Sequence, residues 1–356
     1  MSQNIFEKHS KIILLAINAL FIALIIFVLR LEIFQDNPNE AKYSVYDLAR
    51  YNLQCMGKRH IMLRENKPNS DVIKVPPYDK TQKYHFRTDE NGFVKPTKIY
   101  ENPDLNIFFL GGSTTECEYV DEPYRFPYLV GRMLEEKSGK KINSHNAGKS
   151  GNNSIHSINN LLNKIAPLHP DIIVRMEGIN DLSTLLYEAT YWNRNISRSN
   201  LACFTKSQIG FRNFKNEWDQ SPYRSMIYDE VHRARIKAQY RKILTLFVAI
   251  TKAVGATPVL MTQANVISDN PNFVAHEGDD KFNESYRHLY SEFQNITRQV
   301  AQENHIMLID IDKKLPQPQQ YLYDSVHLNN EGSKVVAKII AEELLPLVNK
   351  TKPNKK

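Results

Sequence analysis

The chain has 356 residues, of which 42% are apolar, and this is enough material for one large folded domain with further segments attached. Its 13 glycines are too few for a fibrous protein. The formal net charge of +7 does not indicate nucleic-acid binding, because four of the positive charges lie in a short polar tail, residues 350–356, and no stripe of Lys and Arg alternates with aromatic residues.

The first informative segment is an uncharged apolar run at residues 12–29, IILLAINALFIALIIFVL. As a helix it would span roughly 27 Å, close to the roughly 30 Å thickness of a bilayer's hydrocarbon core. A cleavable signal peptide is the alternative, but its apolar region of about 7–15 residues would end in small residues. Here Arg30 follows the run. We therefore expect a tail at residues 1–11 and an uncleaved transmembrane anchor.

The side of the membrane is indicated by the length of this tail. The positive charges are nearly balanced across the apolar run, with Lys8 and Lys11 before it and Arg30 and Lys42 after it. A short leading tail followed by one span most often leaves the large domain outside. We expect a single-pass membrane protein whose main domain is periplasmic or otherwise extracytoplasmic.

Residues 30–104 are polar and interrupted by prolines, so we interpret them as a juxtamembrane linker and lead-in. From residue 105 to residue 349, short apolar runs alternate with stretches of helical periodicity. The predicted strands are 106–110, 141–144, 171–176, 258–262 and 306–311, and the predicted helices are 124–136, 155–165, 240–253, 281–303 and 330–348. The segment 183–229 has no clear period and is a candidate cap insertion.

Alternation of strands and helices predicts an α/β domain with a mostly parallel five-stranded sheet covered by helices on both faces. In such sheets, sites form in the loops beyond the carboxyl ends of the strands. Polar motifs that follow a strand directly are therefore candidates for chemistry, and the sequence contains four of them.

The first motif, Gly111-Gly112-Ser113-Thr114-Thr115, follows the strand at 106–110. Ser113 would lie on the turn between strand and helix, where free backbone N–H groups are available. A serine nucleophile is one interpretation. The other is a capping box made by Ser113 and Glu116, since Ser is a favoured helix cap.

The second and third motifs supply groups that can bind an oxyanion. Asn146-Ala147-Gly148-Lys149-Ser150-Gly151-Asn152 follows the second strand, and a glycine there allows its N–H to approach a reacting atom. Gly178-Ile179-Asn180-Asp181 follows the third strand, and the Asn180 amide can donate to an oxyanion. The alternatives are an ordinary glycine-containing loop and a helix capped by Asp181.

The fourth motif, Asp324-Ser325-Val326-His327, follows the last predicted strand. A carboxylate three residues before an imidazole can hold its Nδ1–H, which leaves Nε2 to accept a serine proton. The alternative is a surface turn with an incidental histidine, because the chain has 11 histidines.

In their order and spacing, the four motifs resemble those of the SGNH/GDSL hydrolase superfamily, and the likeness covers roughly residues 84–348. The resemblance implies a flavodoxin-like α/β/α sandwich in which Ser113 is the nucleophile and Asp324 and His327 complete the triad. It also implies an oxyanion hole formed by Ser113, Gly151 and Asn180. Gly151 rather than the neighbouring Gly148 takes the family's glycine position.

One departure from the family pattern affects the expected substrate. The family's G-D-S-L appears here as Gly111-Gly112-Ser113-Thr114, which weakens a lipase assignment. Relatives with G-G-S-T look similar, and the segment at 87–93 also looks like the one before G-G-S-T-T in membrane-attached bacterial relatives.

The resemblance implies a serine esterase that hydrolyses acyl or acetyl esters of a small molecule or carbohydrate, with an envelope carbohydrate as the leading expectation because of the anchor. No cofactor or metal is implied. The cysteines, Cys55, Cys117 and Cys203, permit at most one disulfide and contain no zinc spacing. Two alternatives remain: an O-acetyltransferase using the same triad, and a non-catalytic member that binds glycan or serves as a scaffold.

Overall fold

A computed structural model of the chain describes residues 63–97, 99–191, 227–268, 270, 272 and 280–351. The predicted tail and anchor, residues 1–29, lie outside these residues, and so does most of the candidate cap, residues 192–226. Within the described part of the chain, no helix is both long and apolar enough to cross a membrane.

The secondary structure alternates between strands and helices, as predicted. The strands are β1 (Asp71–Lys74), β2 (Tyr84–Arg87), β3 (Leu105–Gly111), β4 (Ile142–Asn146), β5 (Ile172–Met176), β6 (Thr257–Met261) and β7 (Met307–Ile309). The helices are α1 (Ser113–Glu116), α2 (Phe126–Ser138), α3 (Ser154–Asn160), α4 (Ile179–Glu188), α5 (Glu230–Ala253), α6 (Asp280–Glu303), α7 (Ile311–Lys314) and α8 (Asn330–Lys350). Short 3-10 turns lie at Glu122–Tyr124, Ala166–Leu168 and Pro318–Gln320, and a π-helical turn at Leu161–Ile165 continues α3.

The main sheet has five strands in the order β4-β3-β5-β6-β7, and every neighbouring pair is parallel. Counted from β3 this is the order 2-1-3-4-5 of flavodoxin-like doubly wound folds. The predicted parallel five-stranded sheet is therefore confirmed. Because every strand runs the same way, the carboxyl ends of β3, β4 and β5 meet at one edge.

Alternate residues of each strand pack against opposite helical layers, as the two-residue period of a strand requires. On β3, Ile107 and Phe109 pack in one core cluster with α2 and α8. Phe108 and Leu110 pack in a second cluster with α3, α4, α5 and α6. All four side chains are at most 1% exposed, so both faces of the sheet are covered.

Some element bounds differ from the prediction for identifiable reasons. Helix α5 begins at Glu230, well before the predicted residue 240, because the Asp229 side chain accepts the Val231 N–H and caps it. Its first turns are largely polar, so apolar periodicity does not show them. Strand β7 ends at Ile309 because Ile311 already starts α7.

The described residues of the predicted lead-in, 63–97 and 99–104, belong to the same compact unit as the main sheet. Strands β1 and β2 form an antiparallel pair, and Val94 bridges to Asn146 at the edge of the main sheet. Phe93 is 1% exposed, with its ring 5.6 Å from that of Phe108. The described part of the predicted lead-in thus contributes to the core.

A buried arginine joins this segment to the rest of the unit. Arg125, at the start of α2, is 1% exposed and donates hydrogen bonds to the backbone carbonyls of Cys117, His85 and Lys95. Backbone carbonyls that come before and after β3 in the sequence thus accept hydrogen bonds from one guanidinium. Without these acceptors, burial of the charged group would cost free energy.

We predict that Phe93→Ala lowers the free energy of unfolding by about 3–5 kcal/mol, because it leaves a cavity against Phe108. The matched control is Ile99→Ala, a residue of the same segment that is 54% exposed; its change should stay within about 0.5 kcal/mol. Urea unfolding of the two variants makes the comparison. Equal stability of Phe93→Ala and the parent protein would contradict the assignment of this segment to the core.

Candidate active site

Ser113 lies where strand β3 turns into helix α1, at the carboxyl edge of the sheet. It is the first residue of α1, and Gly112 is the N-cap with no side-chain capping bond. The capping-box interpretation is therefore wrong. The carboxylate of Glu116 is instead buried and accepts the Ser150 N–H at 2.7 Å. This leaves the Ser113 hydroxyl free of a capping role.

Asp324 and His327 lie in a tight loop between the 3-10 turn Pro318–Gln320 and α8. The loop is closed by an antiparallel bridge between Leu322 and Leu328, both buried, and by the Tyr323 N–H, which donates to the His327 carbonyl at 2.9 Å. Asp324 Oδ1 accepts the His327 N–H at 2.8 Å. Such local carboxylate-to-backbone bonds fix a turn without help from a sheet.

The three side chains of this site form a continuous relay. Ser113 Oγ lies 2.7 Å from His327 Nε2, and His327 Nδ1 lies 2.7 Å from Asp324 Oδ2. A carboxylate accepts from the Nδ1–H, so Nε2 carries the lone pair that accepts the serine hydroxyl. His327 is therefore not isolated on a surface turn, because it is hydrogen-bonded to both Ser113 and Asp324.

The surroundings favour an ionised Asp324. Partial burial would raise the pKa of this carboxyl, but the hydrogen bond and charge of His327 and two backbone N–H donors together lower it below its usual value. The Tyr323 ring stacks on the imidazole, with 5.4 Å between centroids and 5° between planes. The ring therefore restricts the orientation of His327.

Asn180 lies beside Gly112, the residue before the serine, and the loop that contains Gly151 is bound to Asn180. Asn180, in the first turn of α4, places its amide so close to Gly112 that a β-carbon there would be 2.5 Å from Nδ2. Only glycine allows this approach. The same amide donates to the carbonyl of Asn152 at 2.9 Å, which brings the loop containing Gly151 to the same corner.

A buried charge cluster underlies these donors. Asp181 accepts the Ser154 N–H at 2.9 Å and an Arg175 N–H at 3.1 Å, and all three residues are fully buried. The cluster ties the start of α3 to the first turn of α4. Because the N-cap of α4 is Gly178, the interpretation of Asp181 as a helix cap is wrong.

Gln263, just beyond the carboxyl end of β6, belongs to none of the four motifs that the sequence indicates. Its amide donates to Thr114 Oγ1 at 2.9 Å, and its oxygen accepts the Ile179 N–H at 3.1 Å. It thus joins α1 to α4 immediately behind Ser113 and Asn180. The rule that polar residues following a strand are candidates would have found it.

An open cavity of about 500 Å³ adjoins Tyr323 on the same side of the fold. Tyr323 connects it to the site, because the ring that lines the cavity also stacks on His327. The Tyr78 ring stacks on Tyr323, with 4.7 Å between centroids. The lining residues are Tyr78, Gln82, Lys83, Tyr84, Asp121, Tyr323, Asn329, Asn330 and Glu331.

Comparison with known proteins gives a family match. The sequence model of the GDSL-like Lipase/Acylhydrolase family matches residues 109–335. No curated protein sequence matches the chain.

Several solved structures resemble the fold. An acetylxylan esterase from Geobacillus stearothermophilus is 17% identical, with a TM-score of 0.43 over 72% of this chain and 100% of its own. A lipase/acylhydrolase from Enterococcus faecalis is 16% identical, with a TM-score of 0.43 over 71% of this chain and 100% of its own. An alpha/beta hydrolase from the metagenome of Lake Arreo is 18% identical, with a TM-score of 0.43 over 70% of this chain and 98% of its own.

The buried cluster predicts a pH dependence of stability. Burial raises the pKa of Glu177, next to Arg175, from 4.5 to about 7, although the charge of Arg175 opposes the shift. Between these two pH values the folded protein holds a proton that the unfolded chain has released. The free energy of unfolding therefore falls as the pH rises through this interval.

We expect Glu177→Gln to reduce this fall by about 1–3 kcal/mol, because the glutamine does not titrate. Urea unfolding at pH 5 and pH 7 measures it. The control is Glu101→Gln at an exposed position, which removes the same charge. If both variants follow the parent protein's pH dependence, Glu177 is not protonated in the folded state.

Proposed function

Because this chain belongs to the GDSL-like lipase/acylhydrolase family, whose members hydrolyse esters, we propose that Ser113, His327 and Asp324 are its catalytic triad. One observation carries the proposal. Ser113 Oγ lies 2.7 Å from His327 Nε2, and His327 Nδ1 lies 2.7 Å from Asp324 Oδ2, so the three side chains form a chain of hydrogen bonds. This is the arrangement that serine hydrolases of unrelated folds share.

In the proposed reaction, Ser113 Oγ attacks the ester carbonyl carbon while His327 Nε2 takes the hydroxyl proton. The tetrahedral intermediate collapses, the bond to the alcohol oxygen breaks, and Nε2 returns the proton to the leaving alcohol. Water then attacks the acyl-serine with the same base, which releases the acid and restores the hydroxyl. Asp324 holds the Nδ1–H throughout and stabilises the imidazolium.

The negative oxygen of the tetrahedral intermediate would be bound by the backbone N–H groups of Ser113 and Gly151 and by the Asn180 amide. Ser113 supplies an N–H in the first turn of α1, where backbone donors have no partner within the helix. The Asn180 side-chain amide has two N–H donors, and one bond it makes is to the Asn152 carbonyl. Fixed donors of this kind stabilise charge that develops during the reaction.

For the substrate, we propose a short acyl ester, such as an acetyl ester, on an envelope carbohydrate. The cavity beside Tyr323 supports a hydroxyl-rich alcohol group, because its lining combines tyrosine rings with amide, ammonium and carboxylate groups. The apolar run at residues 12–29 supports a location near such polymers if it anchors the chain.

The direct test uses Ser113→Ala in the full chain. We expect it to abolish hydrolysis of p-nitrophenyl acetate and labelling by a fluorophosphonate probe, because both need the hydroxyl as nucleophile. Thermal unfolding should be unchanged.

A matched control is Ser325→Ala, which removes a hydroxyl from the loop that carries the candidate acid and base but lies outside the relay. It should retain hydrolysis and labelling. Equal activity of Ser113→Ala and the parent protein would refute the triad.

A second prediction concerns the oxyanion donors. Asn180→Ala should lower kcat by about 10²–10³, because one donor to the intermediate is lost. KM should stay within a few-fold, since the interaction strengthens only in the transition state. Steady-state kinetics on the same ester separates the two constants. A rise in KM with unchanged kcat would assign Asn180 to ground-state binding instead.

A further inference from the structure

A segment that precedes the family-matched region reaches the loop that carries Gly151. Residues 63–66, here called the strap, contact this loop through side chains and backbone. Asn66 Nδ2 donates to the Gly148 carbonyl at 2.9 Å. Arg64 Nη2 donates to the Ser150 carbonyl at 3.1 Å. The strap thus binds the loop on both sides of residue 149.

The backbone carbonyl of Arg64 also binds the loop. The carbonyl of Arg64 accepts the Asn152 amide at 3.2 Å and the Asn160 amide at 3.1 Å. Both asparagines are buried, Asn152 completely. Since buried amides need partners, this carbonyl fixes where the end of the loop and α3 can lie.

Arg64 binds Ser150 and Asn152, and its guanidinium lies directly against Gly151, the residue between them. A β-carbon on Gly151 would be 2.4 Å from Arg64 Nη2 and 3.1 Å from the guanidinium carbon. Gly151 also has a φ of +77°, which favours glycine. The orientation of its peptide group is therefore set by a cation in contact with it and by carbonyls held on either side.

The contact extends to the second oxyanion donor. The Asn152 amide is bound to Arg64, and the Asn152 carbonyl accepts the Asn180 amide at 2.9 Å. One residue of the strap is therefore linked to Gly151 directly and to Asn180 through Asn152. These are the two candidate donors that do not belong to the serine itself.

We propose that the guanidinium of Arg64 makes it a positioning residue of the oxyanion hole, acting by fixing the peptide of Gly151, while its backbone carbonyl holds Asn152 and thereby the amide of Asn180. This rests on the proposed function of those two groups. The strap then belongs to the active site, although it lies outside the family-matched residues 109–335.

The test is Arg64→Ala in the full chain, with hydrolysis of p-nitrophenyl acetate as readout. We expect kcat to fall at least about 10-fold, because a small displacement of catalytic groups has large effects on rate. KM should stay within about 3-fold, since a group that acts only on the oxyanion contributes little to ground-state binding. The midpoint of thermal unfolding should match that of the control.

The matched control is Glu65→Gln, the adjacent strap residue. Its carboxylate pairs with Lys164 at 2.5 Å, so the variant loses an ion pair of the strap without changing a side-chain contact to the loop. It should keep the parent kcat. Arg64→Lys should recover part of kcat, because an ammonium can still donate to the Ser150 carbonyl but lacks the planar guanidinium.

The outcomes separate this inference from the proposed function. An active parent protein with unchanged kcat in Arg64→Ala overturns the role of Arg64 alone. The role of Arg64 is also overturned if Arg64→Ala and Glu65→Gln lower kcat equally and lower the midpoint of thermal unfolding equally. The strap would then be purely structural. If Arg64→Ala does not fold, kcat of Arg64→Lys equal to that of the parent also overturns this role. A parent protein that neither hydrolyses the ester nor reacts with a fluorophosphonate overturns both.

Discussion

On strand β3, Ile107 and Phe108 point to opposite faces of the sheet, and both are fully buried by helices. Because helices cover both faces, a substrate cannot reach polar groups on either one. Backbone N–H groups and polar side chains that neither pair within the sheet nor pack in a core are found where the parallel strands end. Ser113 and Asn180 therefore meet because β3 and β5 are parallel neighbours that end at the same level.

The loop after β4 shows how that edge is made rigid. The Glu116 carboxylate in α1 accepts the Ser150 N–H, and the Arg64 guanidinium, from the segment before β1, donates to the Ser150 carbonyl. Burial raises the pKa of Glu116, while Lys149 at 3.5 Å opposes the shift. Both polar groups of the same residue are thus fixed by side chains from different segments, which leaves the neighbouring Gly151 little freedom.

Much of the fold could be predicted because its signal is local. The apolar runs of β3 and β5, each followed by a polar motif, identify strands buried on both faces and the loops that follow them. The polar motifs put Ser113, Asn180 and the Asp324–His327 pair after predicted strands, and the resemblance to the SGNH/GDSL superfamily gave them their expected roles.

The remainder depends on contacts distant in sequence. Phe93 and Arg64 lie in a proline-interrupted polar segment, and nothing in their neighbourhood signals that one fills the core and the other binds a loop near residue 150. The first turns of α5 are polar and begin with a cap at Asp229, so periodicity starts later than the helix. Gln263 follows a strand but belongs to no motif, and only the bonds it makes distinguish it.

The relay also has a consequence for biosynthesis. Ser113 and His327 are separated by 214 residues, and His327 is held in place by a loop that leads directly into α8. Helix α8 docks on α2 through a shared apolar cluster, so the loop can adopt its place only after the end of the domain has been synthesised. Until then the serine has no base beside it. If Ser113 is the nucleophile, as proposed, reactivity toward acyl groups arises only once the last helix has packed.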